Sequence, residues 1–212
     1  LMPVVPPPTS TTAPFLIFSA LAAATGSSST WVTIKPANST TLTITFVLPS
    51  EIPGGTDRMI HGQTVTRWSL EYPCDGLIAV NDRAANTKAL KMAYKSASTK
   101  KTFVWTYEAW KQKNQKVLDS KDQYFLITKD PIQMKKILVD DGFVPSDVKK
   151  VIVGPCNDRP GATKLGNNQS ITQEEAEALE AIYQAGYEIE FALIKEASIG
   201  SWSKFRGQFG FN

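Results

Sequence analysis

One histidine and two cysteines in 212 residues exclude more chemistry than any motif supports. A Ser-His-Asp triad would have to be built on His61, and no Gly-x-Ser-x-Gly turn is present to hold the serine. His61 lies between Ile60 and Gly62 in a turn-rich stretch. It can act as a general base in principle, but a lone loop imidazole reads first as a surface residue. Cys74 and Cys156 belong to no C-x-x-C pair, so neither a tightly bound metal nor any cofactor is expected. Gly161 and Lys164 lack the spacing of a Walker loop. Long hydrophobic runs are also missing: Phe15 to Ala24 is apolar, but a membrane span needs about 20 such residues. Leu1 to Pro14 contains no Lys or Arg, as a secretory signal would require. The expectation is a chain with free thiols, no membrane partner, and assembly inside a cell.

The carboxylates do not gather either. Asp140-Asp141 and Glu174-Glu175 are adjacent in sequence, and neighbours on a helix point to different sides. Glu174, Glu175 and Glu177 fall in an expected first helical turn, where they complement the helix dipole.

What is present suits one packed domain. Hydrophobic residues make up 42% of the chain and charged ones 20%, enough to bury a core and too little charge for disorder. The charge is uneven. Residues 88–136 hold twelve lysines against four acids, whereas residues 137–212 hold seven basic and eleven acidic side chains. Such a basic block can attract nucleic acid, meet the acidic face of a neighbouring subunit, or form a solvated surface. Within it, Lys95, Lys100, Lys101, Lys111 and Lys113 interleave with Tyr94, Phe103, Trp105, Tyr107 and Trp110. Base stacking uses those residue types, but the block has no Arg, and in a strand such aromatics are core.

Along the chain, Leu1 to Pro14 reads as an extended polyproline-like arm. Leu42, Ile44 and Phe46 alternate with threonine, the period of a half-buried strand, and Gln63 to Tyr72 alternates again. A short helix is expected over 86–97, a strand over 102–110, a hairpin tip over 111–116 and a strand over 123–128. Pro131 opens a helix that Gly142 ends. Val148 to Val153 is a strand, and 154–169 a long loop. Thr172 and Glu175, three residues apart, form a capping box for a helix stopped by Gly186. Residues 187–193 alternate as a strand, and the aromatic tail 201–212 is too sparse to make its own core.

The order of Trp68-Ser-Leu-Glu-Tyr72, Lys88-Ala-Leu-Lys-Met-Ala-Tyr94 and Lys101-Thr-Phe-Val-Trp105 resembles the tail tube proteins of tailed bacteriophages. The resemblance spans residues 40–128 and rests on layout. It implies a mainly β, α+β fold: an antiparallel β-sandwich or barrel with two or three short flanking helices and extended termini. It also implies rings stacked around a DNA channel. The expected organisation is an arm over 1–30, one β-rich domain over 31–200 and a tail over 201–212. The expected role is a non-enzymatic virion structural protein, assembled in the host cytoplasm, whose partners are copies of itself, other virion proteins and passing DNA. Capsid, connector or baseplate roles remain open, as does a monomeric carbohydrate- or surface-binding module; a cryptic enzyme ranks last. Pro6, Pro7, Pro8, Trp202, Phe205, Phe209 and Phe211 are then candidate subunit contacts. Glu174, Glu175, Glu177, Lys95, Lys100 and Lys101 are candidates for the channel or charged surface.

Overall fold

The computed structural model describes residues 44–47, 68, 70–144, 149–156, 158–167, 169–192 and 194–212. All of them lie in one compact unit, Lys35–Asn212. The expected arm, with Pro6, Pro7 and Pro8, lies outside the described residues, as does His61.

Three runs that do not alternate organise the molecule. Gly76–Val80, Tyr124–Thr128 and Lys150–Val153 are buried at every position. A strand covered on both faces reads this way, and such strands belong to parallel sheets flanked by helices. In chain order the elements are β1 (Ile44–Val47), β2 (Gly76–Val80), α1 (Asp82–Asn86), α2 (Lys88–Ser96) and β3 (Lys101–Trp105). Next come α3 (Tyr107–Leu118), β4 (Tyr124–Thr128), α4 (Pro131–Lys135, continued by a π turn over Lys136–Asp140) and β5 (Lys150–Val153). The chain closes with β6 (Ala162–Gly166), β7 (Gln169–Thr172), α5 (Gln173–Gln184), β8 (Glu188–Ala192), β9 (Ser198–Ser201) and α6 (Trp202–Phe205). Seven strands form one sheet in the order β3-β2-β4-β1-β5-β8-β9, and β6-β7 is a separate antiparallel pair. Within the large sheet every pairing is parallel except β8 with β9.

The expected antiparallel sandwich or barrel is therefore wrong: the fold is α/β, a parallel sheet with helices on both faces. Two local readings failed for the same reason. Alternation of Phe103 and Trp105 stops at Thr106, whose side chain accepts from the Ala109 N–H at 3.1 Å and starts α3. The supposed hairpin tip is the middle of that helix, which buries Tyr107, Trp110 and Val117. Trp68 and Tyr72 are likewise joined by a helical bond, Tyr72 N–H to the Trp68 carbonyl at 2.8 Å, not by strand pairing. The expected loop over 154–169 contains β6. Local signals held at Pro131, with Asp130 capping α4, and at Thr172, whose capping box with Glu175 is complete. Gly186, at φ 88, follows the end of α5.

The sheet separates two cores. Leu77 and Ala79 pack with Trp68, Ala84 and Tyr94 on one face. Ile78 and Val80 pack with Trp110, Met134 and Leu179 on the other. The tail joins this second core: Trp202 is 0% exposed, Phe205 3% and Phe209 9%.

Candidate functional site: a cleft at the carboxyl edge of the sheet

Strand order dictates where the sheet opens. Successive strands from β2 to β3 progress toward one edge, whereas those from β3 to β4, β4 to β5 and β5 to β8 progress toward the other. Right-handed crossovers then place α1 and α2 on one face and α3, α4 and α5 on the opposite one, in agreement with the two cores. The neighbours β2 and β4 send their chains to opposite faces. Outside their carboxyl ends the backbones diverge, leaving the crevice where ligands bind in open parallel sheets.

A cleft of about 420 Å³ occupies that position. Asn81, Asp82 and Arg83 reach it from the end of β2, Tyr107 from the start of α3, and Lys129, Asp130, Gln133 and Lys136 from β4 and α4. Three of its polar groups hold the walls in place. Asn81 Oδ1 accepts from the Ala84 N–H at 2.9 Å, Asp130 Oδ1 from the Gln133 N–H at 2.7 Å and Asp82 Oδ1 from the Tyr107 N–H at 2.7 Å. Each satisfies a first-turn donor that a helix cannot bond internally. Among the described lining residues, the cationic Arg83, Lys129 and Lys136 stand beside the carboxylates of Asp82 and Asp130. Tyr107 donates its hydroxyl to Asp141 Oδ2 at 2.6 Å. Burial, followed by that bond to Asp141, pushes the Tyr107 phenol well above its ordinary range, so it stays a neutral donor.

Among the described residues, none of the candidate subunit-contact, channel or charged-surface side chains lines this cleft, although Tyr107, one of the aromatics interleaved with the lysines, does. Trp202, Phe205 and Phe209 are buried in their own chain's core, and the half-buried Phe211 has its ring 6.2 Å from that of Trp202. Glu174 and Glu177 are exposed on α5, while Glu175 is buried in the capping box and paired with Arg159. Lys95 is exposed on α2. Lys100 donates to the Cys74 carbonyl at 2.7 Å, and Lys101 lies 4.0 Å from Asp122. The cleft residues were missed because their signal is a repeated junction. Apolar Leu77 to Val80 runs into Asn81-Asp82, and apolar Phe125 to Ile127 leads through Thr128-Lys129 to Asp130-Pro131. A buried run followed by an Asx cap marks a strand-to-helix turn, and two such turns locate a carboxyl edge.

The family model for the PTS system sorbose subfamily IIB component matches residues 56–211, where PTS is the phosphoenolpyruvate-dependent phosphotransferase system. No curated protein matches the chain. Among solved structures, the IIB domain of the sorbose permease from Klebsiella pneumoniae is 18% identical, with a TM-score of 0.62 over 79% of this chain and 97% of that one. The N-acetylgalactosamine-specific IIB component 1 from Escherichia coli is 19% identical, with a TM-score of 0.58 over 73% and 95%. A PTS-dependent N-acetylgalactosamine IIB component from Streptococcus pyogenes is 16% identical, with a TM-score of 0.60 over 76% and 93%. At these identities the likeness establishes the fold.

The family match overturns the tail tube resemblance, and with it the virion structural role, the self-assembling ring, the DNA channel, the virion location and the non-enzymatic reading. Layout alone misled, because strand, helix and strand in succession also describe one repeat of a parallel sheet. The chain belongs to the sorbose subfamily of PTS IIB components.

Proposed function

We propose that this chain carries a phosphoryl group, accepting it from a IIA component and passing it toward a sugar handled by the membrane components IIC and IID. The family match over residues 56–211 carries this reading, and a cleft with cationic side chains at the strand-order switch of the sheet supports it. No helix among the described residues is long and apolar enough to cross a membrane, so the reading assigns the membrane passage to other components.

A carrier needs a nucleophile that forms a reactive, reversible bond to phosphorus. Imidazole and thiolate both qualify. Burial pushes the Cys74 thiol up to about 11 and the Cys156 thiol higher still, and both cysteines are buried. Neither offers an accessible thiolate near neutral pH. The sole imidazole, His61, lies within the matched residues. Val47 pairs with Thr128 in parallel register, so β1 ends next to the strand that leads into Lys129. In the proposed reaction an imidazole nitrogen attacks phosphorus as the bond to the donor breaks, and the imidazole loses a proton. In the second step a sugar hydroxyl attacks, the N–P bond breaks, and the hydroxyl proton leaves. Fixed positive charge near the three phosphoryl oxygens is what such a transfer requires from its surroundings.

Incubation with phosphoramidate, a chemical phosphoryl donor, followed by intact mass measurement tests the assignment. The expected result is one added phosphoryl group that is lost in acid, absent in His61→Ala and retained in Cys74→Ser. A modification that survives in His61→Ala would place the carrier elsewhere.

A further inference from the structure

We infer that the outer face of α2 is a docking surface for an anionic lipid bilayer, built from Lys88, Lys91, Met92 and Lys95. The inference goes beyond the carrier reading and does not depend on which residue holds the phosphoryl group.

The stripe follows from helical spacing. Positions 88, 91, 92 and 95 stand at i, i+3, i+4 and i+7 and share one side of α2. The other side carries Tyr94, which is buried, and Leu90, which is half-buried; both pack on the core beneath. The helix therefore lies flat on that core and turns Lys88, Met92 and Lys95 to solvent, with Lys91 half-exposed at the border. No Asp or Glu occurs between residues 83 and 107. Among the described residues, no ion pair engages Lys88, Lys91 or Lys95. Folding does not account for this pattern. Lys88 stands in the first turn of α2, where a cation opposes the helix dipole, and Met92 is 62% exposed.

A second apolar side chain projects from the same layer. Leu70 belongs to the helical turn from Trp68 to Tyr72, whose two rings pack in the same core as Tyr94. With those rings turned inward, Leu70 is 73% exposed. Leu70 and Met92 are the two most exposed large hydrophobic side chains among the described residues, and both stand on elements that cover the same face of the sheet.

The residue types favour a bilayer over an acidic protein. Arginine, which pairs with carboxylates in a fixed fork geometry, is absent from the stripe. Lysines act as point charges and suit a diffuse plane of phosphate headgroups. The stripe spans roughly 10 Å, about one Debye length at physiological salt, so its three charges act together on such a plane. A single helix surface is convex and offers no groove for a peptide. Protruding Met92 and Leu70 can enter the headgroup layer while the lysines stay at its surface.

The test is flotation of the full chain with vesicles of phosphatidylcholine alone and of equimolar phosphatidylcholine and phosphatidylglycerol. Binding is expected only with the mixture and should fall as salt rises, since screening acts on exposed charges. Replacing three lysines together (Lys88→Gln, Lys91→Gln and Lys95→Gln) should lower partitioning about a hundredfold at low salt, from about fivefold per lysine. Met92→Ser should lower it about threefold and leave the salt dependence as it is. Lys111→Gln, Lys113→Gln and Lys116→Gln together remove the same charge from α3, on the other face of the sheet, and should leave most of the binding. Thermal unfolding of each variant checks that the fold is kept. Equal flotation with phosphatidylcholine alone, none with the anionic mixture, unchanged binding by the α2 variant, or an equal loss in the α3 variant each overturns the inference. So does binding confined to native bacterial membrane vesicles and lost when protease strips their proteins, which would assign the stripe to an acidic protein.

Discussion

Trp202 donates its indole N–H to Glu180 Oε2 at 2.7 Å, joining the C-terminal turn to the middle of α5 inside the core. The same carboxylate accepts from Arg206 through both Nε and a terminal nitrogen, and from Gln184 at 2.7 Å. The rings of Trp202 and Phe205 pack on Phe191 of β8, and Phe209 packs on Trp202. The tail is thus a fastened part of the second core.

That network makes acid stability depend on Glu180. The Arg206 bond lowers its carboxyl from 4.5 to about 2, against the opposing effect of burial and with help from Gln184 and Trp202. The unfolded chain takes up a proton near pH 4.5 while the folded chain stays ionised to about pH 2, so the stabilisation is complete above pH 4.5 and is lost as pH falls between those values. Glu180→Ala strands the buried Trp202 donor and should cost roughly 2–4 kcal/mol at pH 7. Thermal unfolding of both proteins from pH 7 downward should show the gap narrowing below pH 4.5. A gap independent of pH would mean that packing, not charge, accounts for it.

Truncation after Gly200 should disrupt the fold. It removes three aromatic side chains that are 0%, 3% and 9% exposed, each contributing about 1.5–3 kcal/mol, out of a typical total of about 5–15 kcal/mol. Urea unfolding tests this: the truncated chain should have no cooperative transition, or one with a much lower midpoint.

Gly76 is required where β2 begins. A Cβ there would sit 2.7 Å from the Lys101 carbonyl oxygen and 2.9 Å from a Tyr124 ring carbon, and neither the β3 backbone nor a ring packed in the core can move aside cheaply. Gly76→Ala should destabilise by about 1–3 kcal/mol. Gly207→Ala, where no atom lies within 4 Å of the new Cβ, should change stability by less than about 0.5 kcal/mol. Equal midpoints for the two variants in chemical denaturation would contradict the crowding at β2.

Some of this protein was determined by residues within four positions of one another. The helix at Thr172 starts where its capping box says, because Thr172 and Glu175 satisfy each other's backbone donors without help from the rest of the fold. Pro131 opens α4 for a similar reason, with Asp130 as its cap. Partnership between strands has no such local source. The period-two texture of Phe103 and Trp105 does not say whether the neighbour is parallel, and the uninterrupted apolar runs of β2, β4 and β5 make sense only once helices cover both faces. The tail is the plainest case. Its aromatics look like an exposed patch in sequence, and Trp202, Phe205 and Phe209 become core as α5 places Glu180 where Trp202 and Arg206 can reach it. The cleft likewise draws on residues 81, 107, 129 and 136, far apart in the chain. They meet because right-handed crossovers send the chains after β2 and β4 to opposite faces of one sheet, and that divergence exists only in three dimensions.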